Sequence, residues 1–119
     1  EFIKRFKKIG NKKKFLIYGT GQEIRSFIYI DDFISGFAKV YKKGKNLEIY
    51  NIGTNEKIKI SNLAILIAKL LDKDIKFNKT KVLKGSPSKR CPDISKIKKL
   101  GFKPKIPLKI GIQKLLQKN

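Results

Sequence analysis

FLIYGTGQEIRSFIYIDDFISGFAKVYKKG, running from Phe15 to Gly44, decides the class of fold. Phe15 to Tyr18 reads as a short strand, and Gly19-Thr20-Gly21 ends it, because glycine supplies the backbone freedom that a tight turn requires. Ile24 to Ile30 reads as a second strand, with Phe27 and Tyr29 on the face opposite Ser26 and Ile28. At Asp31 or Asp32, either of which can cap a helix, the period changes. Phe33, Ile34, Phe37, Ala38 and Tyr41 then recur at helical spacing until Gly44. Strand, turn, strand and helix in one run of thirty residues point to an α/β or α+β protein.

The flanks extend the alternation. Upstream, Phe2, Ile3, Phe6 and Ile9 give a helix over Glu1 to Ile9, stopped by Gly10 and Asn11. Downstream, Leu47 to Ile52 is a compact apolar run bounded by Asn46 and Gly53, the pattern of a buried strand. Lys57 to Ile60 adds a short extended piece. Ser61 caps a helix over Asn62 to Leu71 whose apolar face is Leu63, Ala64, Ile67, Leu70 and Leu71. Ile75 to Leu83 alternates as a strand does. Asp93 or Ser95 caps a short helix closed by Gly101, Pro104 and Pro107 bracket an extended link, and Leu108 to Leu116 forms a last amphipathic helix. No repeat or linker divides the 119 residues, a length that suits one domain.

The formal net charge is +21. Such a charge ordinarily suggests binding to a phosphate backbone. Of the 30 basic residues, however, only Arg5, Arg25 and Arg90 are arginine, and nucleic-acid readout draws heavily on the planar arginine fork. The lysines lie along nearly every segment, as on a solvated surface. Cys91, the single cysteine, excludes an internal disulfide and fits a reduced, cytoplasmic setting. No apolar run approaches the length of a membrane span, and the N-terminus lacks the apolar centre of a signal peptide. The chain begins at Glu1 and not at methionine, which points to a fragment or processed product.

Two familiar motifs fail on inspection. Gly19-x-Gly21 starts like a dinucleotide fingerprint, but Ile24 holds the third glycine position and no helix opens there. Tyr41 and Lys45 match Tyr-x-x-x-Lys, yet Gly44 breaks the helix that would put both on one face. With no histidine in the chain, a cysteine-histidine nucleophile is excluded within it, and no metal-ligand cluster is present. Two arginine segments carry more. In Arg25-Ser26-Phe27-Ile28-Tyr29-Ile30-Asp31-Asp32 the guanidinium either pairs with Glu23 or Asp31 or reaches an anion such as a diphosphate. In Arg90-Cys91-Pro92-Asp93 the aspartate is either a plain helix cap or a ligand contact.

Taken in order, YGTGQEIRSFIYIDDF, LEIYNIGT, ISNLA and SKRCPDISKIKKLGFKPKIPLKIGI resemble the C-terminal part of the extended short-chain dehydrogenase/reductase family. That family holds NAD-dependent nucleotide-sugar epimerases, 4,6-dehydratases and decarboxylases. The resemblance implies an α/β fold made of a substrate-binding lobe plus the last Rossmann strand and helix, all 119 residues forming one unit. It implies that Arg25 reaches the substrate's diphosphate, and that Arg90 and Asp93 bind its diphosphate and ribose side. Asn51 would lie near the substrate and Tyr18 would line the nucleotide pocket.

The resemblance also implies what is missing. The family's glycine-rich NAD loop and catalytic Tyr-x-x-x-Lys precede the matched region, so NAD belongs to the parent enzyme and this chain holds no catalytic residue. The segments Asp31 to Lys43 and Leu47 to Ile52 would pack on the absent Rossmann part or a partner chain, leaving an apolar face open. A nucleoside-diphosphate sugar would be the ligand and a homodimer the parent assembly, with no membrane partner. Two other readings stand beside this one. They are a small basic nucleic-acid-binding protein, supported by charge alone, and a truncated product without independent activity.

Overall fold

The computed structural model describes residues 2–82 and 85–117. Two expectations from the sequence reach beyond them: Glu1 at the start of the first helix and Leu83 at the end of the strand from Ile75. The chain runs α1 (Phe2–Lys8), β1 (Lys14–Ile17), β2 (Ile24–Arg25), α2 (Ile30–Lys43), β3 (Ile58–Lys59), α3 (Ile60–Leu70), β4 (Lys76–Lys79), β5 (Lys89–Arg90), α4 (Ser95–Lys98) and α5 (Leu108–Gln117). Helix and strand alternate, as the periodicity implies.

Two small sheets organise these elements. β1 pairs in parallel with β4, from Lys14 opposite Lys76 to Ile17 opposite Lys79. Between them and α1, α3 and α5 lies the larger core of Phe6, Phe15, Ile17, Leu63, Ala64, Ile67, Ala68, Ile75 and Ile112. The Phe6 and Phe15 rings stack there at 3.9 Å between centroids. Lys73 fastens α1 to this core by donating from Nζ to the carbonyls of Phe6 and Ile9, each at 2.6 Å. A cation is well placed on the carbonyls that a helix end leaves unpaired. The second sheet has the order β3-β2-β5. Beside it Ile94, Ile97 and Phe102 form a smaller core with Ile28, Val40, Tyr50 and Ile52.

Several sequence expectations are corrected. The second strand is only Ile24–Arg25, and the helix after it begins at Ile30. Neither Asp31 nor Asp32 caps that helix, which has Tyr29 at its N-cap. Asp32, only 4% exposed, accepts instead from the backbone N–H groups of Lys105 and Ile106 at 2.9 and 2.8 Å. Ser61 likewise lies inside α3, one residue past its start at Ile60. Leu47 to Ile52 is no strand: Leu47 is 97% and Ile49 82% exposed, and Leu47 has φ of 58°. A buried strand needs a neighbour to pair with, and the described residues supply none to this segment.

The molecule is a slab of 51 × 36 × 16 Å with a radius of gyration of 16.5 Å. A compact domain of this length has about 13.5 Å. One broad face stays open, and α2 shows why. Its inner side is made close by Gly36, where a Cβ would come within 2.6 Å of Ile52. Its outer side carries Ile30, Phe33, Ile34, Phe37 and Tyr41, all exposed. An apolar stripe of that kind is the sort of face that a further element can cover.

The Asp32 contact gives the fold a sharp test. Asp32→Ala leaves two backbone donors of the 104–107 link without an acceptor and lowers stability by about 2 kcal/mol, read by urea titration. Asp32→Asn, which keeps an accepting oxygen, recovers most of that loss.

Candidate functional site

The site is built on β2. Its two residues pair on one side with β3, antiparallel, and on the other with β5, parallel. The parallel register sets Ile24 beside Lys89 and Arg25 beside Arg90. Register partners in a sheet leave it on the same face, so two guanidinium groups stand on neighbouring strands about 4.8 Å apart at the backbone. Like charges placed directly opposite one another are destabilising. The expected surface partners do not relieve them. Arg25 donates to the carbonyls of Ile24, at 2.8 Å, and Pro87, at 3.1 Å. Among the described residues the ion pair is Lys96 with Glu48, elsewhere on the surface.

The loop after α2 closes this end of the sheet. Ser26 donates from its hydroxyl to the Thr54 carbonyl at 2.7 Å. Gly53 lies so near Pro92 that a Cβ would come within 2.4 Å of its ring. Asn51 donates from Nδ2 to the Asp93 carbonyl at 3.1 Å. The two sequence segments, Tyr50 to Gly53 and Arg90 to Asp93, therefore lie against each other and against Arg25. Asp93 is exposed, and its Oδ1 accepts from the Ser95 backbone N–H at 2.8 Å. That bond holds its carboxyl below the usual aspartate value.

Tyr18 joins Arg25 in lining a cleft. This cleft, of about 200 Å³, is lined by Phe2, Tyr18, Gly19, Glu23, Arg25, Ile60 and Ser86. A second hollow, of about 570 Å³ and mostly apolar, is lined by Arg25 and by residues of α1, α3 and α5. Arg25 lines both hollows. Four of the five sequence candidates, Arg25, Arg90, Asn51 and Asp93, meet along β2 and β5, and Tyr18 shares the cleft with Arg25.

Glu23 is the residue whose place the sequence obscures. It is 7% exposed, and its Oε1 accepts from the backbone N–H and the hydroxyl of Thr20 at 2.9 and 3.1 Å, while Oε2 is buried with no partner. The carboxylate folds over the turn so tightly that a Cβ on Gly19 would lie 2.6 Å from Oε1. Gly19, at φ of 104°, and Gly21, at 77°, accommodate it. Backbone N–H groups, its own first and that of Thr20 next, hold the Glu23 carboxyl below its ordinary value of 4.5. Only the adjacent Gly-x-Gly hints at this in sequence.

The mixed α/β arrangement fits part of a Rossmann-type fold, and comparison with known proteins agrees. A model of the NAD dependent epimerase/dehydratase family matches residues 1–53. The dTDP-D-glucose 4,6-dehydratase of Bos taurus is 37% identical over 114 residues, 90% of this chain and 32% of that protein. The UDP-glucose 4-epimerase of Thermotoga maritima, crystallised with UDP-glucose, superposes with a TM-score of 0.84 at 27% identity, over 98% of this chain and 38% of that one. The dTDP-glucose 4,6-dehydratase of Streptomyces venezuelae, crystallised with NAD, gives 0.85 at 25% identity, over 98% and 36%. The chain belongs to the NAD-dependent epimerase/dehydratase family of extended short-chain dehydrogenases. It spans about a third of the length of the curated relatives it matches.

The lowered Glu23 pKa has a directional consequence. A carboxyl held below its unfolded value stabilises the fold fully above about pH 4.5, and that contribution disappears as the pH falls through the lower, folded value. Thermal melts across this acid range should therefore fall more steeply for the parent chain than for Glu23→Gln, which cannot titrate. Parallel profiles would show that Glu23 plays no such part.

Proposed function

We propose that this chain is the C-terminal, substrate-binding part of an NAD-dependent nucleotide-sugar epimerase or dehydratase. The observation that carries the reading is the register pair of Arg25 and Arg90 without a carboxylate between them. A diphosphate offers the charge that such a pair lacks, and the guanidinium fork matches its oxygens. Asp93, kept ionised by the Ser95 N–H and hydroxyl, is exposed and so placed to accept from a ribose hydroxyl. Asn51, tied to the same backbone, faces the sugar end. Tyr18 offers a ring to the base, since an aromatic face stacks with any base.

These residues position a substrate and move no proton. Nor do they build a site for NAD. The turn Gly19 to Gly21 leads into strand β2, so no helix N-terminus stands behind it to meet a pyrophosphate. Tyr41 lies on α2, whereas Lys45 lies beyond its end at Lys43. In the parent enzyme the cofactor would oxidise the sugar transiently, and its binding residues lie outside this chain. On this reading the exposed stripe of α2 and the loop around Leu47 and Ile49 are covered by the Rossmann part or a partner chain. A cytoplasmic setting fits the single cysteine best, and the resemblance implies a homodimeric parent. No helix among the described residues is long and apolar enough to cross a membrane.

Calorimetry with UDP-, dTDP- and GDP-sugars tests the reading. One of these binds, and Arg25→Met and Arg90→Met each weaken it by about tenfold or more. Absence of nucleotide-sugar binding, together with RNA or DNA affinity that falls steeply with salt, would return the chain to the nucleic-acid class.

A further inference from the structure

The three arginines of a chain with 30 basic residues are linked through Tyr18 and the β2–β5 register. Arg25 and Arg90 are register partners, and Arg25 shares its cleft with Tyr18. The third, Arg5, reaches Tyr18 from α1. Its guanidinium carbon lies 5.1 Å from the Tyr18 ring centroid and 4.5 Å from that of Phe15. Its Nη2 donates to the Leu16 carbonyl at 2.7 Å. One group thus holds two rings and the strand that carries them.

The planar guanidinium can lie flat on an aromatic ring while its in-plane N–H groups donate sideways, a geometry the compact ammonium does not share. Arginine at position 5, where lysine is the rule elsewhere, is explained by that geometry. Tyr18 itself follows the last residue of β1 and is 69% exposed, so nothing in its own packing fixes the ring. With Arg5 over the ring and most of the residue still open, the tyrosine offers a preset face at the mouth of the cleft.

We infer that Arg5 is a positioning residue for nucleotide recognition: it locks the Tyr18 ring as the platform on which the substrate's base stacks, while Arg25 and Arg90 take the diphosphate. This rests on the nucleotide-sugar reading above. Arg5 touches the ligand only through Tyr18. Removing it weakens contacts to the base and spares those to the phosphates, because a mobile ring must be ordered at the moment of binding.

Titration of the full chain with inorganic pyrophosphate and with UDP, dTDP and GDP separates these contributions. For whichever nucleoside diphosphate binds, Arg5→Ala weakens it about fivefold and leaves pyrophosphate unchanged. Tyr18→Ala weakens it on the order of tenfold, and adding Arg5→Ala to that variant costs nothing more. Arg5→Lys keeps the charge but loses the plane, and it matches Arg5→Ala. Arg5→Gln, still able to donate to the Leu16 carbonyl, replaces Arg5→Ala if the latter melts early. Equal losses for nucleotide and pyrophosphate, or undiminished nucleotide binding in Arg5→Lys, overturn the inference alone. If the parent chain binds none of the nucleotides, the proposed function falls with it.

Discussion

Everything at the candidate site hangs on the double pairing of two residues, Ile24 and Arg25. On one edge the Ile60 N–H donates to the Glu23 carbonyl at 3.0 Å, and on the other the Ile24 N–H donates to the Ser88 carbonyl at 2.8 Å. These bonds tie the turn, the start of α3 and the segment before Arg90 into one piece. Strands this short have little cohesion of their own. They are held by what flanks them: the Glu23 carboxylate over the turn, Gly53 against Pro92, and Ser26 on the Thr54 carbonyl. The adjacency of Arg25 and Arg90 is then a consequence of register, maintained against the repulsion between them.

The same economy explains the shape of the molecule. A slab 16 Å deep buries apolar groups from one side only. Two separate cores result, one under α3 and one around Phe102, joined through β2 and the Asp32 contact to the 104–107 link. The stripe on α2 belongs to neither. The chain spans about a third of the length of its relatives, and its open apolar face lies on the side of α2 away from the second core.

Much of this was legible in order and type. Phe15 to Ile17, the helix to Lys43, the helix around Leu63 and Ile67, the turns at Gly19 and Gly21 and the last helix follow from period and glycine placement. Where reading failed, tertiary competition was the cause. Asp32 looks like an N-cap because aspartate beside a helix start usually is one, but here its carboxylate is drawn to two backbone donors seventy residues away. Leu47 to Ile52 has a strand's composition without a strand's neighbour. Glu23 looks like a surface partner for Arg25, and it is instead turned inward onto Thr20.

By itself the sequence determined the alternation of elements, the family, and the identities of the two arginine segments, because periodicity, turn chemistry and motif order are local and additive along the chain. Tertiary structure alone decided that Arg25 and Arg90 stand side by side, that Asn51 is joined to Asp93, and that Arg5 lies over Tyr18. Those are contacts between residues far apart in the chain, and they depend on strand register and on which face each helix presents. No local signal encodes either, since both are set by how the layers pack.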